Sequence, residues 1–482
     1  MSTEQPPPPR KGQIGVDEWV AQSGERQEAT GWRRGLGTLE RRVGWWQRLA
    51  IVALLGLGFG LITNNVNILT VGFTSVLYAI LSLGLNIAVG WAGLLDLGFI
   101  AFFGFGAYGY AIFSSTALGT GGMGGSHLAA FESIPIVLVA AGIVGLVIGL
   151  IALRLDGDYL AIVTLFVGQA FMEAVNNIDP GTLGGVNGLF GLDGLHGLGG
   201  EITTPRGYFF IALIFCAVLA GILHLLDTSR TGRAWRALRD DPLAARAMTM
   251  PVNKLKVMAF SFAAMVGALA GTLFAAEQSS VFPTNFTSNI LILIYACLVL
   301  GGVGTIAGAI TGGIAVTVVS AMLTSPKDSA YLFYGLILLT LIWKVRPWRH
   351  LAAVLGGTVV LGLVLNAVVG GISSSATAGS PGSVGWIGSA VSHWVIVPSD
   401  AATYGNILFI AMICMVIALV RLEGRKRLIL AVPTIYIAAC CWESRLVVNP
   451  AITTQIMLGA ILIVTMAARP NGLLGARRVE VL

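Results

Sequence analysis

Long apolar runs separated by short polar stretches dominate this chain. A membrane-crossing helix takes about 20 consecutive apolar residues. Runs of roughly that size fall at 48–66, 67–90, 92–115, 134–153, 157–176, 208–226, 257–277, 286–301, 305–323, 329–344, 350–370, 404–421, 428–443 and 451–468. The pattern predicts an all-α, polytopic membrane bundle of about 14 transmembrane helices. The polar stretches punctuate it. Residues 1–47, with four prolines from Pro6 to Pro9, read as a disordered tail. They do not read as a secretion signal, whose apolar core would come earlier. The interruption at 227–256 is the longest strongly charged one. The Gly-rich stretch 177–207 is apolar enough to fold back on the spans, and the Gly/Ser-rich stretch 371–403 reads as flexible connector.

Charge gives the runs a direction. With the N-terminus inside and spans alternating, the inner segments hold Arg154, the 227–256 loop, Lys344, Arg346 and Arg349, then Arg421, Arg425, Lys426 and Arg427, then Arg469, Arg477 and Arg478. The outer segments hold only Arg206, Lys327 and Arg445. Lysine and arginine collect on the cytoplasmic side, so both termini are expected there. Composition agrees. Of 482 residues 56% are hydrophobic and 11% charged, against about 25% charged in a soluble domain. The net charge of +6 follows from the inner loops, and nucleic acid is not an expected partner. The five cysteines, Cys216, Cys297, Cys414, Cys440 and Cys441, all lie in apolar runs at spacings that suit neither a metal nor a bridge.

No Walker A pattern, H-E-x-x-H or G-x-S-x-G occurs, so no enzyme activity, cofactor or metal is expected. The interest lies in the charged loop. Seven basic residues face three acidic ones over 227–256, a net +4. Arg233, Arg236 and Arg239 recur at helical spacing. Asp240-Asp241-Pro242 reads as a helix start, with an Asp cap and Pro at the first position. That helix runs through Ala244, Ala245 and Arg246 and stops before Pro251. The loop is thus two short helices at the membrane surface, which is either ordinary inner charge or a place to receive force from a partner.

Polar groups among the spans are costly in lipid and mark a pathway or a helix contact. The candidates are Asn86, Asp96, Thr164, Gln169, Glu173 and Asn176. Asp96, between Gly93 and Gly98, fits a broken helix as well as a helix contact. Gly267 and Gly271, and Gly304, Gly308 and Gly312, repeat every fourth residue and read as tight helix crossings.

Four ordered stretches resemble the permeases of the branched-chain amino-acid ABC transporter family, its LivM-like membrane subunits in particular. They are LNIAVGWAGLLDLGFIAFFGFGAY from Leu85, LRLDGDYLAIVTLFVGQ from Leu153, GRAWRALRDDPLAARAM from Gly232, and ARPNGLLG from Ala468. The departures are Gln169 where the family commonly has Glu, Val186 for Pro, and Met250-Pro251 where Gly often ends the loop helix. The resemblance divides the chain into the tail 1–47, a core permease over 48–323, an added stretch of spans over 324–450, and a last span with its tail over 451–482. It implies a subunit of the inner membrane that lets branched-chain amino acids or similar small polar solutes through. Its implied partners are separate ABC ATPase subunits docking on the 227–256 loop, a second permease subunit, an extracytoplasmic substrate-binding protein and the lipid bilayer. The rival reading is an ion-coupled carrier or channel working without ATPases, with Glu173 or Asp96 as the coupling carboxylate.

Overall fold

The computed structural model describes residues 44–114, 130–152, 155, 157–178, 183–197, 200–344, 348–372, 386–397, 401–422, 424–446, 450–468 and 472–474. Most of the expected N-terminal tail, Arg154, Asp156 and the basic stretch after Leu474 lie outside the described residues. Two compact units emerge, 1–55 and 56–482. The first shows only the beginning of α1 (Trp45–Ile62), where Trp45 and Trp46 meet edge to face at 5.0 Å.

In the second unit, Asn65 caps α2 (Val66–Leu85) by accepting from Asn67 N, and α2 loosens into a π-helical turn over Asn86–Trp91. The expected continuous span 92–115 is interrupted. Residues 92–98 are not helical, and α3 (Phe99–Ser114) starts only after them. Next come α4 (Ala130–Ala152), α5 (Asp158–Asn177), α6 (Pro205–Thr228), α7 (Arg230–Asp240), α8 (Pro242–Ala247) and α9 (Val252–Gln278). The chain goes on through α10 (Ser288–Gly301), α11 (Ile306–Thr324), α12 (Pro326–Lys344), α13 (Trp348–Ile372), α14 (Trp386–Ser392), α15 (Ala401–Arg421), α16 (Gly424–Cys441) and α17 (Pro450–Ala468). Among the described residues nine helices are long and apolar enough to cross a membrane, and five shorter apolar helices occupy the remaining predicted positions.

The described residues are all-helical in class, as expected, with two small antiparallel ribbons beside the helices, β1 (Leu189–Phe190) with β4 (Ser280–Val281), and β2 (Leu195–Gly197) with β3 (Gly200–Ile202). The ribbons' backbone groups lie outside any helix and must find partners. Here they find each other, while Tyr110 Oη donates to Asp193 O at 2.9 Å and Tyr208 Oη donates to Ala276 O at 2.9 Å. The stretch 177–207 therefore does fold back, with Leu189, Leu192 and Leu195 buried. It meets residues 280–282 through Phe190 and Phe282, at 5.1 Å.

α9 is the central helix, held between α3 and α4 by glycines. A β-carbon at Gly271 would stand 2.7 Å from Ala107 N of α3, and one at Gly145 would stand 2.8 Å from Phe260 O of α9. Between α10 and α11, one at Gly312 would run into Cys297 O, and one at Gly308 would stand 2.6 Å from Gly302 O. Gly267 faces Phe99 and Phe102. Without an aqueous driving force between helices, such close backbone approach supplies the dispersion contact that holds them. Gly304 is a correction. It is not in α11 but in the turn before it, at φ +90°.

Helices α12–α16 gather around aromatic side chains. Phe333 and the fully buried Trp442 stack at 4.2 Å. The expected connector 371–403 is in part built structure. It holds α14 and a buried edge at Val395 and Val397, and Trp394 Nε1 donates to Thr358 O at 3.0 Å. α17 returns to the core, where Leu458 packs with Cys297, Leu300 and Val316.

Candidate functional site

The charged loop folds as its sequence directs. Ser229 opens α7, accepting from Gly232 N at 3.3 Å. α7 is strongly amphipathic. Trp235 and Leu238 are buried on one side, while Arg233 and Arg236 are exposed on the other. Arg233 donates to Thr228 O at 2.7 Å, and Arg236 pairs with Asp227 at 2.5 Å. Both reach back along α6. An exposed pair of this kind contributes about 0–1 kcal/mol, so they orient α7 more than they hold it.

Asp240 ends α7, and the exposed Asp241 caps α8 by accepting from Leu243 N at 2.8 Å and Ala244 N at 3.0 Å. Pro242 fills the first helical position, where its missing N–H costs nothing. The helix closes by Thr249 N to Arg246 O (3.0 Å) and Met250 N to Ala245 O (3.1 Å). This is the pair of bonds that glycine-ended helices make, here around Thr249 at φ +59°. Ala245 turns inward and is buried, whereas Ala244 and Arg246 are exposed. Leu243 and Met248 are 74% and 73% exposed. The helix spacing does not single these two out as surface residues, and both stand exposed outside the spans.

α7 is locked to the core at a junction of three chain segments. Arg239 Nη1 donates to Gly90 O in the π-turn. Its side chain passes between two glycines of positive φ. A β-carbon at Gly93 would stand 3.0 Å from Arg239 Cγ, and one at Gly304 would stand 2.7 Å from its Nη1. Asn86 Oδ1 accepts from Gly304 N at 2.8 Å, and Trp91 Nε1 donates to Gly304 O at 3.2 Å. Trp91 stacks on Trp235 at 6.2 Å, and Trp235 Nε1 donates to Leu255 O at 2.8 Å. Asn86, Arg239 and Gly304, distant in sequence, thus meet in one place. Gly90, Trp91, Gly93 and Trp235 belong to it too. Their signal in the sequence is the Gly-Trp-Ala-Gly run and a tryptophan on the inner face of a basic helix.

The break after the π-turn ties this junction to α5 and α10. Leu97 N donates to Thr164 Oγ1 at 2.9 Å, and Tyr295 Oη donates to Asp96 O at 2.6 Å. Asp96 is buried. Its Oδ1 accepts from Gly98 N at 2.9 Å, and among the described residues its Oδ2 has no hydrogen-bond partner. Asp96 and Thr164 are therefore neighbours of the junction, and the broken-helix reading of Asp96 fits. Gln169 and Glu173 lie further along α5 on its exposed side. Gln169 Nε2 donates to Ser288 Oγ at 2.6 Å, and Glu173 Oε1 accepts from Asn177 at 2.7 Å. Asn176 is half-buried one turn away. These three do not reach the junction.

The family described as branched-chain amino acid transport system / permease component matches residues 67–343, more than half of the chain. The high-affinity branched-chain amino acid transport system permease protein LivM of Escherichia coli (strain K12) is 34% identical over 327 residues, covering 62% of this chain and 74% of that protein. LivM of Salmonella typhimurium is 32% identical over the same length and coverage. The autoinducer 2 import system permease protein LsrC of Klebsiella pneumoniae is 32% identical over 145 residues, covering 28% of this chain and 40% of that protein. No solved structure matches.

Proposed function

This chain belongs to the branched-chain amino acid permease family, and from that membership we propose that it forms one half of the translocation path of an ABC importer. Its substrates are branched-chain amino acids or similar small polar solutes, after the relatives' names. Separate ATPase subunits dock on α7 and α8, a second permease completes the path, and an extracytoplasmic binding protein delivers substrate. The protein lies in the inner membrane with both termini cytoplasmic.

The observation that carries this reading is the Arg239 lock. An exposed helix pair that bears Leu243 and Met248 on its surface offers a partner protein apolar contact. That pair is fastened through Arg239 to Gly90, at the head of the break in the membrane helix. A push on α8 then reaches the break as a displacement of residues 90–98, and α5 through Leu97 and Thr164. Sidedness supports the same picture. The loop 227–256, the 301–305 turn and residues 472–474 meet at one end, and residues 189–202 and 280–282 meet apart from them.

The test uses vesicles holding the full set of subunits. A hydrogen bond to a charged group contributes about 1.5–3 kcal/mol, so R239A should lower substrate-stimulated ATP hydrolysis about tenfold or more while ATPase subunits still co-purify. Unchanged stimulation removes the coupling role. The rival carrier reading draws on the buried, unpartnered Oδ2 of Asp96. Uptake by the chain alone under an ion gradient would favour it.

A further inference from the structure

We infer that residues 472–474 are a positioning strap for the coupling junction. The inference rests on the importer reading only for what the junction does.

A helix leaves its last four carbonyls without partners in the helix. At the end of α10, Gly302 N takes Leu298 O at 3.0 Å. Two of the others are satisfied from far along the chain. Leu473 N donates to Leu300 O at 2.9 Å, and Leu474 N donates to Gly301 O at 2.8 Å. Thr305 Oγ1, which caps α11 by accepting from Gly308 N, can donate to Gly302 O at 3.1 Å or to Leu474 O at 3.2 Å, so the strap reaches both ends of the turn between α10 and α11. Gly472 sets the approach. It takes φ +75°, and a β-carbon there would stand 2.7 Å from Gly302 Cα and 2.8 Å from Val299 O.

The turn needs such a grip. Gly301, Gly302 and Gly304 leave it the loosest backbone of the junction, since glycine has the most conformational freedom to lose. Gly302 and Gly304 sit at φ +126° and +90°. Asn86, Trp91 and Arg239 approach Gly304 from one side, and the strap holds residues 300–302 and Thr305 from the other. Among the described residues the strap's hydrogen bonds go to Leu300, Gly301 and Thr305, so it acts by fixing the turn against which Arg239 is seated. It is therefore a positioning element, not part of the docking surface.

The experiment compares the wild type, a chain ended after Arg469, G472V, T305V and T305S in the full transporter. Stimulated over basal ATP hydrolysis is expected to fall about fivefold or more in the first two variants and less in T305V, with recovery in T305S. ATPase subunits should co-purify with each to within about twofold of wild type. Amide exchange of Gly304 should rise about tenfold in the shortened chain and in G472V. Full stimulation with unchanged exchange overturns the inference. So does loss of the folded chain or of ATPase co-purification in G472V, T305V and the shortened chain alike, because the strap is then merely structural. If the wild type itself brings down no ATPase, the importer reading fails, and the exchange measurement alone decides whether the strap positions the turn.

Discussion

A β-carbon placed at Gly271 in the core would stand 2.7 Å from Ala107 N and run into Phe103 O. Placed at Gly335, Gly356 or Gly371 in α12–α16, it would meet nothing within 4 Å. Where glycines of α12–α16 do have neighbours, those are side chains: Val432 at Gly357, Trp394 and Tyr436 at Gly362. The core helices touch backbone to backbone at Gly106, Gly271, Gly312 and Gly313, beside side-chain contacts at Gly84, Gly104 and Gly109. Helices α12–α16 meet through Phe333 on Trp442, Trp394 on Tyr436, and the Tyr334 hydroxyl donating to Glu443 at 2.9 Å. Backbone contact leaves no rotamer to adjust, so the core transmits displacement. Side-chain contact can repack. The backbone contacts at Gly106, Gly271 and Gly312 thus stiffen the region that carries the junction, and the described glycines of α12–α16 make no such contact.

The sharpest way to break this contrast is G271V. Overpacking against backbone cannot relax, and a loss of at least about 3 kcal/mol is expected, read as a collapse of monodisperse protein in detergent. Survival of a folded G271V protein would mean that α3 and α9 can slide apart. Next is W442A. An aromatic truncated in an aqueous core costs about 3–5 kcal/mol, but lipid replaces much of the lost contact, so about 2 kcal/mol is expected. Thermal unfolding should show it as an early transition, with Gly304 exchange unchanged. A matching loss of protection at Gly304 would unite the two regions. T249G exchanges a strained residue for one at ease with positive φ and should stabilise α8 by about 1 kcal/mol, seen as slower exchange at Met250. G356A should shift stability by no more than about 0.5 kcal/mol in either direction. A larger fall would reveal a neighbour of α13 that the isolated chain lacks.

How much of this was legible in the sequence depends on how local its causes are. Apolar runs locate the helices because each span satisfies its own backbone. Asp241 and Pro242 announce α8 because a cap works within three residues. Gly267, Gly271, Gly308 and Gly312 announce close crossings by their period. Gly304 shares that period yet sits in a turn, since its conformation is set by Asn86 and Trp91 from another helix. The break at 92–98 was legible only in part. Asp96 between Gly93 and Gly98 offers it as one of two readings, while Thr164 and Tyr295, on other helices, supply the bonds that let the backbone leave the helix. The ribbons 189–202 are likewise fixed by tyrosines on α3 and α6. Pathway candidates were legible as residue types, but which of them meet was not. Asn86 serves the junction, while Gln169 and Glu173 lie on the exposed side of α5.

Residues 472–474 also carry a consequence for how the protein is made. They follow every other part of the junction in order of synthesis, and all of α12–α16 is translated between the turn and its strap. The ribosome can finish the core helices, the loop and the break while the turn is still ungripped. A chain cut short anywhere in α12–α16 would carry α7 and α8 complete beside a turn without its strap. Under the docking proposed above, an early-released fragment of this kind would occupy ATPase subunits without working them, a liability that quality control in the membrane would have to clear.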